Sequence, residues 1–382
     1  MRTYNGLFDH MLQDSSLSIA FYGASEGKRD RIDVRRVLYN LDFEKERLRN
    51  ILLNEELVLK QHPTKRINEA SCGKIRDIIK PYYKYEQVVH HLVVNELKPI
   101  ILKGFYEYSC GSIPHRGCHF GKKHIERWIR SYNKGEKIYV LKMDIHHFFE
   151  SISHEILKEK LAEVIKDNKF LRLCNQIIDS HEVGLPLGYY TSQWFANFYL
   201  KKFDHMVKEV LGAPHYMRYM DDMVIISTDK AQLQFIRLMI SYYLQDYLDV
   251  KLKDNWQVFP LADNKNDKSG RCIDFMGFKF YRDCTTLRKS ILKRFRGRVY
   301  RASHKDRFTA YDATSIISYM GWVKHANVYD YYKRNILPKI VSLDRLKGQV
   351  SRMSKRMNIK IEERRKRDYD RLVKGKRFSK AA

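Results

Sequence analysis

Two short runs rich in Tyr, Met, Val and Ile flank a pair of adjacent carboxylates in His215-Tyr216-Met217-Arg218-Tyr219-Met220-Asp221-Asp222-Met223-Val224-Ile225-Ile226. Such runs on either side of a tight turn predict a β-hairpin, with the two aspartates at its tip. Roughly seventy-five residues upstream, a run of about eight β-prone residues from Ile138 to Ile145 carries Asp144 near its end. Aspartates near strand ends converge only if their strands are neighbours in one sheet. Converged, Asp144, Asp221 and Asp222 would form an all-oxygen site suited to a hard cation such as Mg²⁺, which usually keeps a substrate phosphate among its ligands. Asp in a turn also satisfies local chemistry by bonding to its own backbone. The pair alone leaves both readings open.

The surrounding segments weigh between them. Tyr219-Met220-Asp221-Asp222 resembles the YxDD signature of reverse transcriptases, and Asp144 in LKMDIHHFFESI resembles their first metal-binding aspartate. Between them GLPLGYYTSQWFANFYL, residues 184–200, resembles the block that positions template and nucleotide. Upstream, GKIRDIIKPYYKYEQVVHHLVVNELKPI and YSCGSIPHRGCHFGKKHI resemble the fingers blocks, and downstream IDFMGFKF resembles the primer grip. The six blocks stand in the expected order over about residues 70–340, a far more specific signal than any one of them.

The resemblance implies an RNA-directed DNA polymerase of α+β class. Its right-hand fold would have fingers, a palm whose antiparallel sheet carries the YxDD hairpin, and a helical thumb. It implies Asp144, Asp221 and Asp222 as catalytic residues that hold two Mg²⁺ ions together with the Ile145 backbone carbonyl, Mn²⁺ being able to replace Mg²⁺. One ion would activate the attacking 3′-hydroxyl and the other neutralise the leaving pyrophosphate. Lys74 and Arg76 match the basic fingers residues that hold the triphosphate. Arg can grip phosphate oxygens in a fork and Lys acts as a point charge. Phe149 matches the aromatic position that excludes a ribose 2′-hydroxyl. Leu187, Gly188 and Gln193 match the central nucleotide-binding block. Taken singly, Lys74 and Arg76 also read as solvated cations and Phe149 as ordinary core.

One departure narrows the resemblance. Group II intron and retroviral enzymes usually carry Gln before the glycine of the central block and Ser-Pro at its end. This chain has Leu187-Gly188 and Ser192-Gln193, which is similar to the reverse transcriptases of diversity-generating retroelements. Those enzymes copy a template RNA with frequent errors at adenines. Replacing an amide by Leu187 removes hydrogen-bonding capacity near the incoming nucleotide, and an apolar wall discriminates less than a polar site that must be satisfied. Leu187 also reads as a simple packing residue. The resemblance further implies a structured template RNA, dNTPs, a cDNA or RNA–DNA hybrid, and a small basic accessory protein as partners. Antiphage-defence reverse transcriptases, which use a dedicated non-coding RNA, share the same blocks. A catalytically inactive RNA-binding module fits less well, since a binder gains nothing from carboxylates facing phosphates.

Charge agrees with a nucleic-acid partner. The 72 Lys and Arg residues against 45 acids leave a formal charge of +27, a surplus that meets phosphates. Six scattered cysteines without a CxxC pair argue against zinc and for reduced thiols in a cytoplasmic protein. No apolar run approaches the roughly 18 residues that cross a membrane, and the first residues lack a secretory design.

Along the chain, residues 1–135 are expected to form an N-terminal extension and fingers, 136–285 the palm, 286–344 a helical thumb, and 345–382 a basic tail. DFEKERLRNILLNEELVLKQ has amphipathic spacing that predicts a helix, and residues 153–180 and 191–211 have helical spacing. Lys74 and Arg76 are placed in a polar loop before Ile78-Ile79. His146 and His147, if on a strand, point to opposite faces and are given no role. Gly277 sits within a strand pattern, as a bulge or a close approach, and Gly321-Trp322 is the expected break in a thumb helix. EERRKRDYDRLVKGKRF in the tail reads as a basic arm on an RNA backbone.

Overall fold

The computed structural model describes residues 3–69, 74–305, 308–340 and 344–356. The chain divides into two compact units, one of residues 1–276 and 280–283 and the other of 277–279 and 284–382.

In the first unit the β-prone runs form strands β1 (Thr64–Glu69), β2 (Lys74–Ile79), β3 (Ser109–Cys110), β4 (Tyr139–Asp144), β5 (His215–Tyr219), β6 (Asp222–Ser227) and β7 (Gln257–Pro260). β1 and β2 make an antiparallel pair. The other five make one sheet in the order β3-β5-β6-β4-β7, antiparallel except where β3 runs parallel to β5. β4 is an interior strand paired on both edges, Leu141 opposite Ile225 on one side and Val258 on the other.

Side chains alternate across a strand, so Leu141, Met143, Met223 and Ile225 share one face. They belong to the same core as Leu233, Ile236, Ile240, Leu244 and Leu248 of helix Lys230–Leu248. Lys142, Asp144 and Asp222 point to the opposite face. Helix Val88–Leu102 is apolar nearly all round and buried, with Leu92, Val93, Val94 and Leu97 each about 1% exposed or less. Such a helix belongs inside a domain, and it packs against helices Asp14–Ala24 and Tyr190–Tyr199.

Several local expectations change. Thr64–Glu69 and Lys74–Ile79 are paired strands, so Lys74 and Arg76 lie on β2 and not in a loop. The helix predicted in DFEKERLRNILLNEELVLKQ stops at Leu53. Residues 153–180 form two helices, His154–Val164 and Asn168–Asp179. Asp167 divides them, accepting from the Phe170 amide at 3.0 Å and the Phe8 amide at 2.8 Å. His146 and His147 follow β4 in a turn, with His147 left-handed at φ 41°, so strand alternation does not govern them. Gly277 sits at φ 86° next to Met276 at φ 51°, in the turn between strands Ile273–Phe275 and Phe278–Phe280. That is a tight reversal, not a bulge.

In the second unit helices Lys289–Ser303 and Ala310–Val323 bury Phe295, Val299, Ala313, Ile316 and Met320 in a separate core. A capping box of Thr309 and Asp312 starts the second of them. It runs through Gly321-Trp322 and ends at Val323, so the break falls a few residues later than the glycine suggests. Within this unit Trp322 lies over Gly277, where a β-carbon would meet its ring at 2.9 Å. The EERRKRDYDRLVKGKRF segment lies outside the described residues. Among the described residues Cys110, Cys118, Cys174 and Cys272 are free thiols, and no helix is long and apolar enough to cross a membrane.

Burial of His90 in helix Val88–Leu102 pushes its pKa down to about 3, and neighbouring His91 acts in the same direction. His90 is neutral and shares a 2.9 Å hydrogen bond with the Thr191 hydroxyl. A depressed histidine stabilises the fold above its unfolded value of about 6.5, and that stability is lost as pH falls toward 3. Between pH 6.5 and 5 the urea unfolding free energy should fall with a slope that steepens from about 0.7 to about 1.4 kcal/mol per pH unit from this group. His90→Gln should flatten the slope by that amount.

Candidate active site

The site begins with strand register. Asp144, the last residue of β4, is directly opposite Asp222, the first of β6, and Tyr219 at the end of β5 is opposite Asp222 on its other side. Met220 and Asp221 therefore form the turn, so only one of the two aspartates sits in it. The Ile145 amide donates to the Asp221 carbonyl at 3.1 Å, tying the end of β4 to that turn.

Met220 adopts left-handed φ 56°, uncommon for a residue with a long side chain. Its surroundings hold it there. Its amide donates to the Cys110 carbonyl at 3.1 Å, its carbonyl accepts from Arg218 Nη1 at 2.9 Å, and its sulfur lies 3.5 Å from Asn197 Nδ2. Gly111, at φ 89°, leaves room for the Met220 side chain, which a β-carbon would meet at 2.9 Å. Arg218 is fully buried and forms a bidentate pair with Asp204, Nε to Oδ1 at 2.7 Å and Nη2 to Oδ2 at 2.6 Å. Tyr216 and Ser109 donate to the same carboxylate at 2.7 and 2.6 Å. None of Arg218, Asp204 or Asn197 was singled out from sequence. The only signal was an arginine at an inward position of a core strand, where a charge is rarely found unpaired.

Burial, with the Asp144 and Asp221 carboxylates adding to it, pushes the Asp222 pKa up to about 7, while Lys142 opposes the rise. Asp221 is raised as well, by burial first and then by Asp144, with Lys253 and Arg76 pulling the other way. Two lysines serve as counter-ions. Lys253 pairs with Asp144, and Lys142 Nζ lies 3.4 Å from Asp222 Oδ2 while donating to the Asp274 carbonyl at 2.5 Å. Asp222 Oδ1 is buried and accepts no hydrogen bond. Among the described residues no cluster of three or more His, Cys, Asp or Glu groups is closed up at metal-ligand geometry. The donor chemistry nevertheless suits a hard cation: carboxylate oxygens, one of them unpartnered.

A cleft of about 500 Å³ adjoins the carboxylates, and Arg76, Phe149, Leu187, Asp221 and Lys253 all line it. Two glycines bring its walls together. The Leu185 amide donates to the Phe149 carbonyl at 2.7 Å beside Gly184 at φ 61°, and the Ile79 amide donates to the Leu187 carbonyl at 2.7 Å beside Gly188 at φ 114°. A β-carbon would stand 2.3 Å from the Phe149 carbonyl oxygen at Gly184 and 1.9 Å from the Ile79 carbonyl oxygen at Gly188. Gly188 therefore acts through its backbone. Ser192 donates to the Pro186 carbonyl at 2.7 Å and supports the same loop. Gln193 is exposed on helix Tyr190–Tyr199 and does not line the cleft. Lys74 shares β2 with Arg76. His147 and Glu150, bonded at 2.8 Å, stand at the rim.

The family described as reverse transcriptase (RNA-dependent DNA polymerase) matches residues 63–280, more than half of the chain and all of this site. The chain belongs to that family. It is 22% identical over 247 residues to Protein YkfC of Escherichia coli strain K12, covering 53% of this chain and 65% of that relative. Among solved structures it is similar to apo telomerase from Candida tropicalis truncated from its C-terminal domain, at 16% identity and TM-score 0.43 over 62% of this chain and 58% of that one. It is also similar to telomerase from Candida albicans in complex with a fragment of telomeric RNA, at 12% identity and TM-score 0.47 over 79% and 58%. The chain thus spans about two thirds or less of the length of these relatives, and the family assignment rests on the family match.

Removing one member of a buried ion pair strands the other charge, at about 3–5 kcal/mol. Arg218→Met should therefore lower the unfolding free energy by about that amount, and adding Asp204→Leu should recover much of it. Denaturant titration of the three variants checks this. Equal stability of the wild type and Arg218→Met would contradict the role given to the pair.

Proposed function

We propose that this chain is an RNA-directed DNA polymerase that copies a dedicated structured RNA, of the error-prone kind found in diversity-generating retroelements. The observation that carries the polymerase reading is the register pairing of Asp144 with Asp222, which sets three carboxylates beside a cleft already lined by a cation, an aromatic ring and an apolar wall.

In this reading Asp144, Asp221, Asp222 and the Ile145 carbonyl would hold Mg²⁺, or Mn²⁺ in its place. The ions, when bound, lower the pKa of the primer hydroxyl and offset charge on the pyrophosphate. The other roles belong to this chain's own groups. Arg76 offers a planar fork to the triphosphate, with Lys74 on the same strand adding charge. Phe149, held through its carbonyl by Leu185, presses against the sugar where a 2′-hydroxyl would stand. Leu187 forms the wall beside the base, and Gly188 lets β2 approach that wall. Gln193, exposed on helix Tyr190–Tyr199, would complete the central nucleotide-binding block.

Residues 1–135 would serve as N-terminal extension and fingers, 136–285 as palm, 286–344 as thumb, and 345–382 as a basic arm on the RNA. A small basic accessory protein and a cytoplasmic setting complete the proposal. A defence reverse transcriptase working with its own non-coding RNA is the alternative the same site permits.

Asp144→Asn and Asp221→Asn should each abolish DNA synthesis on a primed RNA template. RNA affinity, set by the basic surface, should stay within about twofold in a filter-binding assay. Extension at wild-type rate in both variants would remove the assignment.

Fidelity tests the finer reading. Losing about 1–3 kcal/mol of discrimination raises misincorporation roughly 10- to 200-fold, so wild-type cDNA should carry frequent errors opposite template adenine. Leu187→Gln should lower them. Deep sequencing of cDNA from both enzymes on one RNA decides it, and uniformly low wild-type error at all four bases shifts the reading to the defence class.

A further inference from the structure

Helix Lys230–Leu248 covers the back of the sheet, away from Asp144 and Asp222, through Leu233, Ile236, Ile240, Leu244 and Leu248. A helix with one face buried normally turns a polar face to water. Here the outward face carries Phe235, Leu238 and Tyr242 at 56%, 53% and 55% exposure. With exposed Ala231 and Gln245 they recur at intervals of four, three, four and three residues, the 3.5-residue spacing of a seam that receives another helix. Large aromatic and aliphatic groups gathered on one exposed stripe mark an interaction surface.

Charge defines what this stripe meets. In a chain of net charge +27 the outward half of this helix has no Lys or Arg and a single acid, Asp246. Lys230 lies on a flank, and Arg237 is stacked over Trp256 at 4.3 Å. A surface without cations has nothing to neutralise a phosphate backbone, and it lies behind the sheet, not on the carboxylate face. For a second copy of the chain the same lack of cations is permissive, because the copies repel wherever cationic surfaces meet.

We propose that two copies pair through this stripe, helix against helix and antiparallel, about a twofold axis beside Leu238. Phe235 lies three residues before Leu238 and Tyr242 four residues after it. A twofold there brings each Phe235 to the other copy's Tyr242 and sets the two Leu238 side chains together, so the stripe is complementary to itself. A 19-residue helix is about 28 Å long, which gives an interface at the small end of specific contacts.

Sedimentation velocity on the full chain, freed of nucleic acid, tests the proposal without reference to polymerase activity. The wild type should pass from monomer to dimer over about 0.5–50 µM, more readily at 0.5 M than at 0.1 M salt, because screening removes like-charge repulsion. Association bridged by residual RNA would weaken with salt instead. Phe235→Glu and Leu238→Glu should each raise the dissociation constant at least about tenfold, with the thermal unfolding midpoint unchanged at concentrations where the wild type is monomeric. As a second arm, Leu238→Cys should give a covalent dimer on mild oxidation where the wild type gives none. A wild type that stays monomeric at every concentration overturns the proposal. So does a dimer weakened by salt, or one indifferent to both glutamate substitutions.

Discussion

The buried pair of Arg218 and Asp204 is the interaction on which the site depends. A bidentate guanidinium–carboxylate contact with no exposure is stable only when its remaining donors and acceptors are also satisfied. Here Tyr216, Ser109, Asn197 and the Met220 carbonyl supply those partners. The last is the important one. By bonding the Met220 carbonyl, Arg218 converts a requirement of the core into the shape of the turn that presents Asp221 and starts β6 at Asp222. The position of the carboxylates is thus fixed from behind, by groups that never reach the cleft.

Three carboxylates so close together are costly unless charge balances them. Lys253 and Lys142 provide part of that balance in this structure, while burial first, and then Asp144 and Asp221, push the Asp222 pKa up to about 7. A site of this kind favours any added cation, which is the electrostatic basis for reading it as a place where ions and phosphates meet. The chain keeps a strong positive surplus overall, yet leaves the outward stripe of helix Lys230–Leu248 without it.

The hairpin with Asp221 and Asp222 at its tip, the strand ending at Asp144 and the helical character of much of the chain were legible in the sequence, because alternation and turn composition are local properties. The central block was legible only through its resemblance to the family pattern. Gly188 shows the limit of that reading: its presence was visible, while its reason, the carbonyl of Ile79 pressed against it, lies about a hundred positions away in the chain. Lys74 and Arg76 were placed in a loop because their segment is polar. An exposed two-stranded ribbon can be polar on both faces, and its pairing partner, not its composition, makes it a strand.

The sequence by itself determined which groups could do chemistry and which segments would be extended or helical. Tertiary structure decided which of those groups meet. It brought Lys253 to Asp144 and Lys142 to Asp222, set Arg76 across from Leu187, and kept Gln193 out of the cleft. The physical reason is that local pattern specifies a residue's face and element, whereas strand register, buried ion pairing and close backbone approach join residues far apart in the chain, and no window along the sequence contains both partners.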